Sequence, residues 1–195
     1  VMGGEDWQLW IEALLNAGVL AEGAVTVAYS YIGSELTRPL YRDGTIGKAK
    51  EHLEATATTL AKKLDTLGGD AFVSVNKAIV SRASAVIPVV SLYLSVLYKV
   101  MKEKGLHEGP VEQMYRLLSE RLYEKGEVPV DEARRIRLDD REMRDDVQRE
   151  VAEIWQSIGD HNLSELADVA GMQEDFLHIH GFGFESIDYD RDIEP

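Results

Sequence analysis

A tyrosine and a lysine separated by eight residues are the side chains of this sequence best suited to acid–base chemistry. Tyr41 stands in a loop before a predicted helix, and Lys50 lies about one turn into that helix, beside its apolar stripe. A lysine cation close to a phenol favours the phenolate, so Tyr41 could release a proton near neutral pH. The spacing alone is also compatible with a surface tyrosine and a solvated lysine.

Two short apolar segments flank this pair and are predicted to be strands. Residues 23–33 and 71–75 are rich in β-branched side chains and bounded by glycine or polar residues. The apolar residues of 45–64 recur at intervals of three and four, which predicts the intervening helix. This alternation favours an α/β fold with a parallel sheet, which binds ligands at the carboxyl ends of its strands. Two strands are too few for a complete doubly wound sheet, so the sequence predicts half of such a fold.

The rest of the chain is predicted to be mostly helical. A helix is expected between Asp6 and Gly18, and a short strand at 135–138. The other predicted helices span 84–101, 110–124, 140–158 and 162–179. The apolar run between Arg82 and Lys99 is shorter than the roughly twenty residues that cross a membrane, so we expect a buried helix there.

The composition excludes several classes of function. The formal net charge is −14, from 35 acidic and 21 basic residues. Such a surface repels phosphate backbones and anionic membranes, so neither nucleic acid nor a membrane is an expected partner. The sequence has no cysteine, which excludes disulfides, thiolate metal ligands and a cysteine nucleophile. A reducing, cytoplasmic location fits this composition.

Three further patterns resemble functional sites but lack a required part. His178 and His180 could share a metal ion, but no third ligand accompanies them, so no metal is predicted. The aspartates that begin at Asp188 resemble a calcium loop, yet Ile193 occupies the position that needs glycine. Gly33-Ser34 lacks the second glycine of a nucleophile elbow, which disfavours a serine hydrolase.

Several long motifs resemble those of the trans-2-enoyl-CoA reductases and the related V-type enoyl-ACP reductases. They are AYSYIGSELTRPLYRDGTIGKAKEHLEATA, AFVSVNKAIVSRASAVIP and KVMKEKGLHEG, followed by LDD, RDDVQ and DYD. The resemblance covers nearly the whole chain in the same order. It implies the C-terminal half of an enlarged, helix-rich Rossmann-type fold similar to the short-chain dehydrogenases, in which tyrosine and lysine are separated by eight residues.

The resemblance also implies roles for individual residues. It implies an NADH-dependent reduction of the C2=C3 bond of an enoyl-CoA or enoyl-ACP, with a monomeric parent enzyme. Tyr41 would donate the proton, Lys50 would hold the nicotinamide ribose and tune Tyr41, and Tyr31 would bind the thioester carbonyl. The cofactor's nicotinamide end would be contacted by Ile79, Val80 and Ser81.

The motif for binding dinucleotide phosphates is missing from these 195 residues. Gly3-Gly4 follows no predicted strand, Gly68-Gly69 ends a helix, and Gly181-Phe182-Gly183 precedes none. We therefore expect residues 1–195 to be the C-terminal catalytic and substrate-binding part of an enzyme whose phosphate-binding N-terminal half is absent here. The alternative is a non-catalytic module that handles acyl groups or nucleotides and derives from the same fold.

The missing turn leads to a first prediction. The isolated 195-residue chain should not reduce crotonyl-CoA with NADH, because most of the cofactor's phosphate contacts would be lost. The measurement is NADH absorbance over time, with the chain's mass verified beforehand. Steady turnover by the verified chain would contradict the prediction.

Overall fold

The computed structural model of this protein describes residues 3–124 and 126–192. Within them, one compact unit comprises the chain up to Ala78 together with Glu108–Arg149, and a second comprises Ile79–His107 together with the chain from Glu150 onward. In chain order the elements are α1 (Glu5–Asn16), β1 (Val25–Ser30), α2 (Arg38–Tyr41), α3 (Thr45–Leu64), β2 (Asp70–Val75), α4 (Pro88–Glu103), α5 (Pro110–Arg116), β3 (Arg135–Arg137), α6 (Asp145–Ser157), α7 (Leu163–Leu166) and α8 (Val169–His178).

The strands of the first unit form a parallel sheet in the order β1-β2-β3. Val25 lies beside Asp70 and Ser30 lies beside Val75, so β1 and β2 end at the same edge. The connection between these two strands contains α3, as the alternation of strand and helix predicted. This common edge is where the candidate site residues of the first unit are found.

The sheet packs against apolar side chains on both faces. On one face, Ala71 packs in a cluster with Ile11, Leu60 and Leu64, and Val73 and Val75 pack with Ala57. On the other face, Phe72 packs in a cluster with Leu117, Ile136 and Leu138. Because successive side chains of a strand alternate between faces, β2 supplies both clusters, and all but its first residue are buried.

The second unit is built around α4, whose side chains are largely buried. Tyr93, Leu94, Leu97, Tyr98 and Met101 of this helix are fully enclosed. The Lys102 ammonium also donates to Asp168 at 2.6 Å, which ties α4 to the start of α8. Within the described ranges, no helix combines the length and apolarity needed to cross a bilayer.

The predicted helix at 162–179 is wrong, because the chain is interrupted between α7 and α8. Ala167 has an extended backbone, and the Asp168 N–H donates to the Ser95 carbonyl at 2.8 Å. The Asp168 side chain then caps α8 by accepting from the Gly171 N–H at 2.9 Å. A bond to a residue distant in sequence therefore decides this boundary, and helical periodicity does not reveal it.

Two other helices begin later than the sequence predicted. The helix expected from residue 140 begins at Asp145, since the Asp140 carboxylate is held by Arg116 at 2.9 Å and Arg121 at 3.1 Å in a preceding turn. The helix expected from Ser84 begins at Pro88, after a single 3₁₀ turn and an extended Ile87. Proline at the first position of a helix is favourable because its missing N–H would be unpaired there.

A close contact at Gly47 fixes the start of α3 against the preceding turn. A Cβ atom added to Gly47 would overlap the backbone carbonyl of Arg42, and Gly47 is buried. Glycine therefore allows α3 to approach the residue that follows Tyr41. The relative position of Tyr41 and Lys50 depends on this contact.

We predict that Gly47→Ala lowers the free energy of unfolding by about 1–3 kcal/mol, because backbone must move to accept the added methyl group. The measurement is urea denaturation followed by circular dichroism. Gly44→Ala is the matched control, since its Cβ would lie 3.2 Å from the Leu40 carbonyl oxygen and needs a much smaller adjustment. Equal unfolding free energies for the two variants would show that the Gly47 contact is not restrictive.

Candidate active site

The common edge of β1 and β2 carries Tyr31 directly after the end of a strand. Tyr31 follows Ser30, the last residue of β1. The Ser30 carbonyl accepts a hydrogen bond from the Asn76 N–H at 2.8 Å, which keeps the exit of β2 beside the exit of β1. The parallel ladder thus positions this phenol at the edge where open α/β folds bind ligands.

A tight turn and a four-residue helix bring Tyr41 against Tyr31. Gly33 adopts a φ of 77°, and the Ser34 carbonyl then accepts from the Thr37 N–H at 3.1 Å to start α2. The sequence had indicated a loop at Tyr41, but Tyr41 is the last residue of α2. The Tyr31 and Tyr41 rings meet edge to face, with centroids 4.8 Å apart and planes at 81°. Two phenols therefore share one small region.

Lys50 points toward the same region from α3. Its ammonium donates to the Ser30 hydroxyl at 3.3 Å and lies 5.8 Å from the centroid of the Tyr41 ring. Burial lowers the pKa of Lys50, and the Glu54 carboxylate acts in the opposite direction. No carboxylate of the described residues lies within 4.0 Å of this ammonium. Lys50 is thus a half-buried cation with donor capacity for a ligand.

Lys48 faces away from the site, as the helical geometry predicted. Its side chain is 79% exposed and forms a 2.8 Å ion pair with Glu51 on the same helix. A separation of two residues turns the side chain about 200° around the helix axis. The chain thus contains a neighbouring lysine that separates a general effect of charge from an effect of position.

The environment of Tyr41 changes its acidity in the direction opposite to the sequence-based expectation. Burial raises the pKa of the Tyr41 phenol. The sequence had suggested that Lys50 would lower the pKa of Tyr41. The Lys50 ammonium instead lies 5.8 Å from the centroid of the Tyr41 ring, and burial disfavours the charge of Lys50 as well. Tyr41 is therefore protonated at neutral pH, which suits a proton donor.

Glu142 is a part of this region that sequence reasoning missed. Its carboxylate is fully buried and accepts from the Tyr31 hydroxyl at 3.0 Å. The same carboxylate accepts from the Ala78 N–H at 2.6 Å. In the sequence, Glu142 follows Asp139-Asp140-Arg141, a charged run typical of a solvated loop, so no local signal marks it.

The predicted cofactor contacts Ile79, Val80 and Ser81 belong to the second unit and form an anchored turn there. The Val80 N–H donates to the Tyr98 hydroxyl at 3.2 Å. Ser84 holds both ends of the segment, since its hydroxyl accepts from the Ser81 N–H at 2.7 Å and donates to the Ile79 carbonyl at 3.1 Å. The Val80 side chain is buried, so any ligand contact by this residue would involve its backbone.

The two histidines near the end of the chain are used in local contacts. His178 stacks on Phe184 with ring centroids 4.4 Å apart, and His180 Nδ1 lies 2.7 Å from the Phe176 carbonyl oxygen. Among residues 3–124 and 126–192, no group of three or more potential ligands could hold a metal ion. Ile193, which counted against a calcium loop, lies outside the described residues.

Two family models match the chain. Residues 1–123 match a model described as the trans-2-enoyl-CoA reductase catalytic region, and residues 130–193 match one described as the enoyl reductase FAD binding domain. Together they cover almost the whole sequence. The boundary between them, at 124–129, does not coincide with the division into two structural units.

Similar curated proteins are about twice as long as this chain. A trans-2-enoyl-CoA reductase [NADH] from Brachyspira hyodysenteriae is 60% identical over 195 residues, which is 100% of this chain and 50% of that protein. An enoyl-[acyl-carrier-protein] reductase [NADH] from Flavobacterium johnsoniae is 58% identical over 192 residues, 98% of this chain and 48% of that protein. The chain therefore spans about half the length of these relatives.

A solved structure confirms the predicted fold class. The Treponema denticola trans-2-enoyl-CoA reductase in complex with NAD matches with a TM-score of 0.93 and 56% sequence identity. The match covers 99% of this chain and 48% of that chain. The α/β architecture is thus that of half of a Rossmann-like enoyl reductase.

The region matched by the second model does not have the chemistry expected of a flavin dinucleotide site. A diphosphate is bound by backbone N–H groups at a helix start or by arginines with free donors. In 130–192, no glycine-rich turn leads from a strand into a helix, and acidic residues outnumber basic ones. Five arginines of this region are paired with acids: Arg134 with Asp70, Arg135 with Asp131, Arg137 with Asp139, Arg141 with Glu108 and Arg144 with Asp146. These residues do not fit FAD.

Proposed function

The chain belongs to the trans-2-enoyl-CoA reductase family, and we propose that it is the catalytic and substrate-binding part of an NADH-dependent reductase of trans-2-enoyl thioesters. The proposed substrate is an enoyl-CoA or an enoyl-ACP, and the product is the saturated acyl thioester. The phosphate-binding half lies outside these residues. The proposal includes a monomeric parent enzyme in the cytoplasm.

The observation that supports this function most is the convergence of Tyr31, Tyr41 and Lys50 at one edge of the sheet. The phenol rings are in contact, and the ammonium lies 5.8 Å from one of them. Reduction of an enoyl thioester adds a hydride to the β-carbon and a proton to the α-carbon, with negative charge passing through the carbonyl oxygen. Donors directed at that developing charge stabilise the transition state strongly.

Tyr41 is proposed to act as the proton donor. Its raised pKa keeps the hydroxyl protonated at neutral pH, so it can protonate the thioester oxygen as charge develops there. The enol formed in this way gains a proton from solvent at the α-carbon and returns the proton on oxygen to Tyr41, which gives the saturated thioester. Tyr31, in contact with Tyr41, is proposed to orient the thioester carbonyl. Edge-to-face packing holds each ring, which reduces the reorganisation needed at the moment of reaction.

Lys50 is proposed to bind the nicotinamide ribose. NADH, when bound, supplies the hydride for the β-carbon. A half-buried ammonium without a carboxylate partner among the described residues suits the neutral, oxygen-rich ribose, and the Ser30 hydroxyl helps to orient it. Ile79, Val80 and Ser81 are proposed to contact the nicotinamide end of the cofactor.

The function is tested by Tyr41→Phe in a full-length protein that contains this chain. The expected result is a loss of kcat far larger than any change in KM, because the phenol acts mainly in the transition state. The measurement is steady-state reduction of crotonyl-CoA with NADH. An unaltered kcat would remove Tyr41 from the mechanism.

Lys50→Ala provides a separate prediction about cofactor binding. In the same full-length protein it should weaken NADH binding by about 1.5–3 kcal/mol, because a charge-assisted hydrogen bond is lost. Binding is measured by NADH fluorescence titration, and turnover by the crotonyl-CoA assay, which should also slow. The matched control is Lys48→Ala, which removes an exposed ion pair and should change neither quantity appreciably. Similar damage from both variants would show that Lys50 has no specific role.

A further inference from the structure

The buried carboxylate of Glu142 connects two segments of the first unit that are distant in sequence. One oxygen accepts from the Tyr31 hydroxyl at 3.0 Å, and the other accepts from the Ala78 N–H at 2.6 Å. The backbone carbonyl of Glu142 accepts from the Gln148 side chain at 2.7 Å, which fixes the residue itself. Glu142 is therefore held in place and holds Tyr31 and Ala78 in turn.

Burial of the Glu142 carboxyl group costs free energy. Glu142 has no exposed surface, and moving a carboxylate out of water costs several kcal/mol unless hydrogen bonds replace the lost hydration. Both of its oxygens receive hydrogen bonds, at 3.0 Å from the Tyr31 hydroxyl and at 2.6 Å from the Ala78 N–H, and these replace part of the lost hydration.

The second contact of Glu142 is with Ala78, next to the segment proposed to contact the cofactor. Ala78 directly precedes Ile79 in sequence, the first residue proposed to contact the nicotinamide. The preceding N–H, that of Lys77, donates to the Gln113 side chain at 2.9 Å. Two consecutive N–H groups after β2 are thus held by side chains, and the one nearer to Ile79 is held by Glu142.

We propose that Glu142 is a positioning residue of the active site, which acts by fixing the Tyr31 hydroxyl and the peptide that precedes Ile79. This inference rests on the function proposed above. The carboxylate accepts a hydrogen bond from the Tyr31 hydroxyl, so the phenolic oxygen is held at a defined place beside the Tyr41 ring. Because Glu142 receives the single O–H of Tyr31, Tyr31 orients the thioester carbonyl through the fixed position of its ring and oxygen, and Tyr41 is the proton donor.

The test is a double-mutant cycle in a full-length protein that contains this chain, assayed with crotonyl-CoA and NADH. Glu142→Ala should reduce kcat/KM roughly 10- to 100-fold, as expected for the loss of a hydrogen bond to a charged group. In a Tyr31→Phe background, the same change should cost a clearly smaller factor, because the contact with Tyr31 is already gone and the contact with Ala78 still remains to be lost. Glu142→Gln keeps an oxygen for Ala78 and an amide group for Tyr31, so it should restore part of the activity.

Asp131→Ala is the matched control. Asp131 also accepts several hydrogen bonds, including two of 2.9 Å from Arg135, but it precedes β3 and bonds to neither Tyr31 nor Ala78. It should lower the melting temperature and cost the same factor in kcat/KM whether or not Tyr31 is present. This variant separates a loss of stability from a loss of position.

The outcomes separate the two proposals. If the wild-type protein reduces crotonyl-CoA but Glu142→Ala costs equal factors with and without Tyr31, the positioning role is wrong and the proposed function stands. If Glu142→Ala does not fold, the same comparison is made with Glu142→Gln, for which an equal cost in both backgrounds also overturns the inference. Absence of activity in the wild-type protein would overturn the proposed function and the inference with it.

Discussion

The parallel pairing of β1 with β2 is the constraint on which the rest of the first unit depends. Because Ser30 pairs with Val75, both strands end at one edge, and the residues after each strand emerge side by side. This register determines the positions of Tyr31, of Ser30, which accepts from Lys50, and of the segment before Ile79. A shift of one residue would turn every side chain of β1 to the opposite face. The apolar clusters on both faces of β2 oppose such a shift.

Partial burial gives the site residues their chemical character. Burial raises the pKa of Tyr41 and lowers that of Lys50, so each group is moved toward its neutral form. For the phenol this retains the proton that the proposed reaction needs. For the lysine, burial means that hydrogen bonds to oxygen atoms stabilise the charged form more strongly. In the described region the Ser30 hydroxyl provides such a bond. The edge of the sheet is thus a place where ordinary residues acquire perturbed acidity.

The sequence predicted the fold class and the periodic parts of the site. It did not predict the features that depend on contacts between residues far apart in the sequence. The orientations of Lys50 and Lys48 follow from helix geometry, and the strands were found from their composition. The meeting of Tyr31 with Tyr41 depends on a positive φ at Gly33 and on a four-residue helix, which leave no repeating pattern. Glu142 and Tyr31 are 111 positions apart in the sequence, so no local sequence pattern indicates that they are in contact.

The eight-residue spacing between the proposed proton donor and the proposed ribose-binding lysine has a consequence for protein engineering. Tyr41 ends α2 and Lys50 belongs to α3, so helical repeat does not set the distance between them. That distance is set by the turn at 42–44 and by the contact of Gly47 with Arg42. A designer could therefore move the phenol relative to the cation by changing the length of this turn, with the sequences of both helices kept, although the contact of Gly47 with Arg42 would have to form again in a new place. In a family with both residues on one helix, the same adjustment would require a whole helical turn.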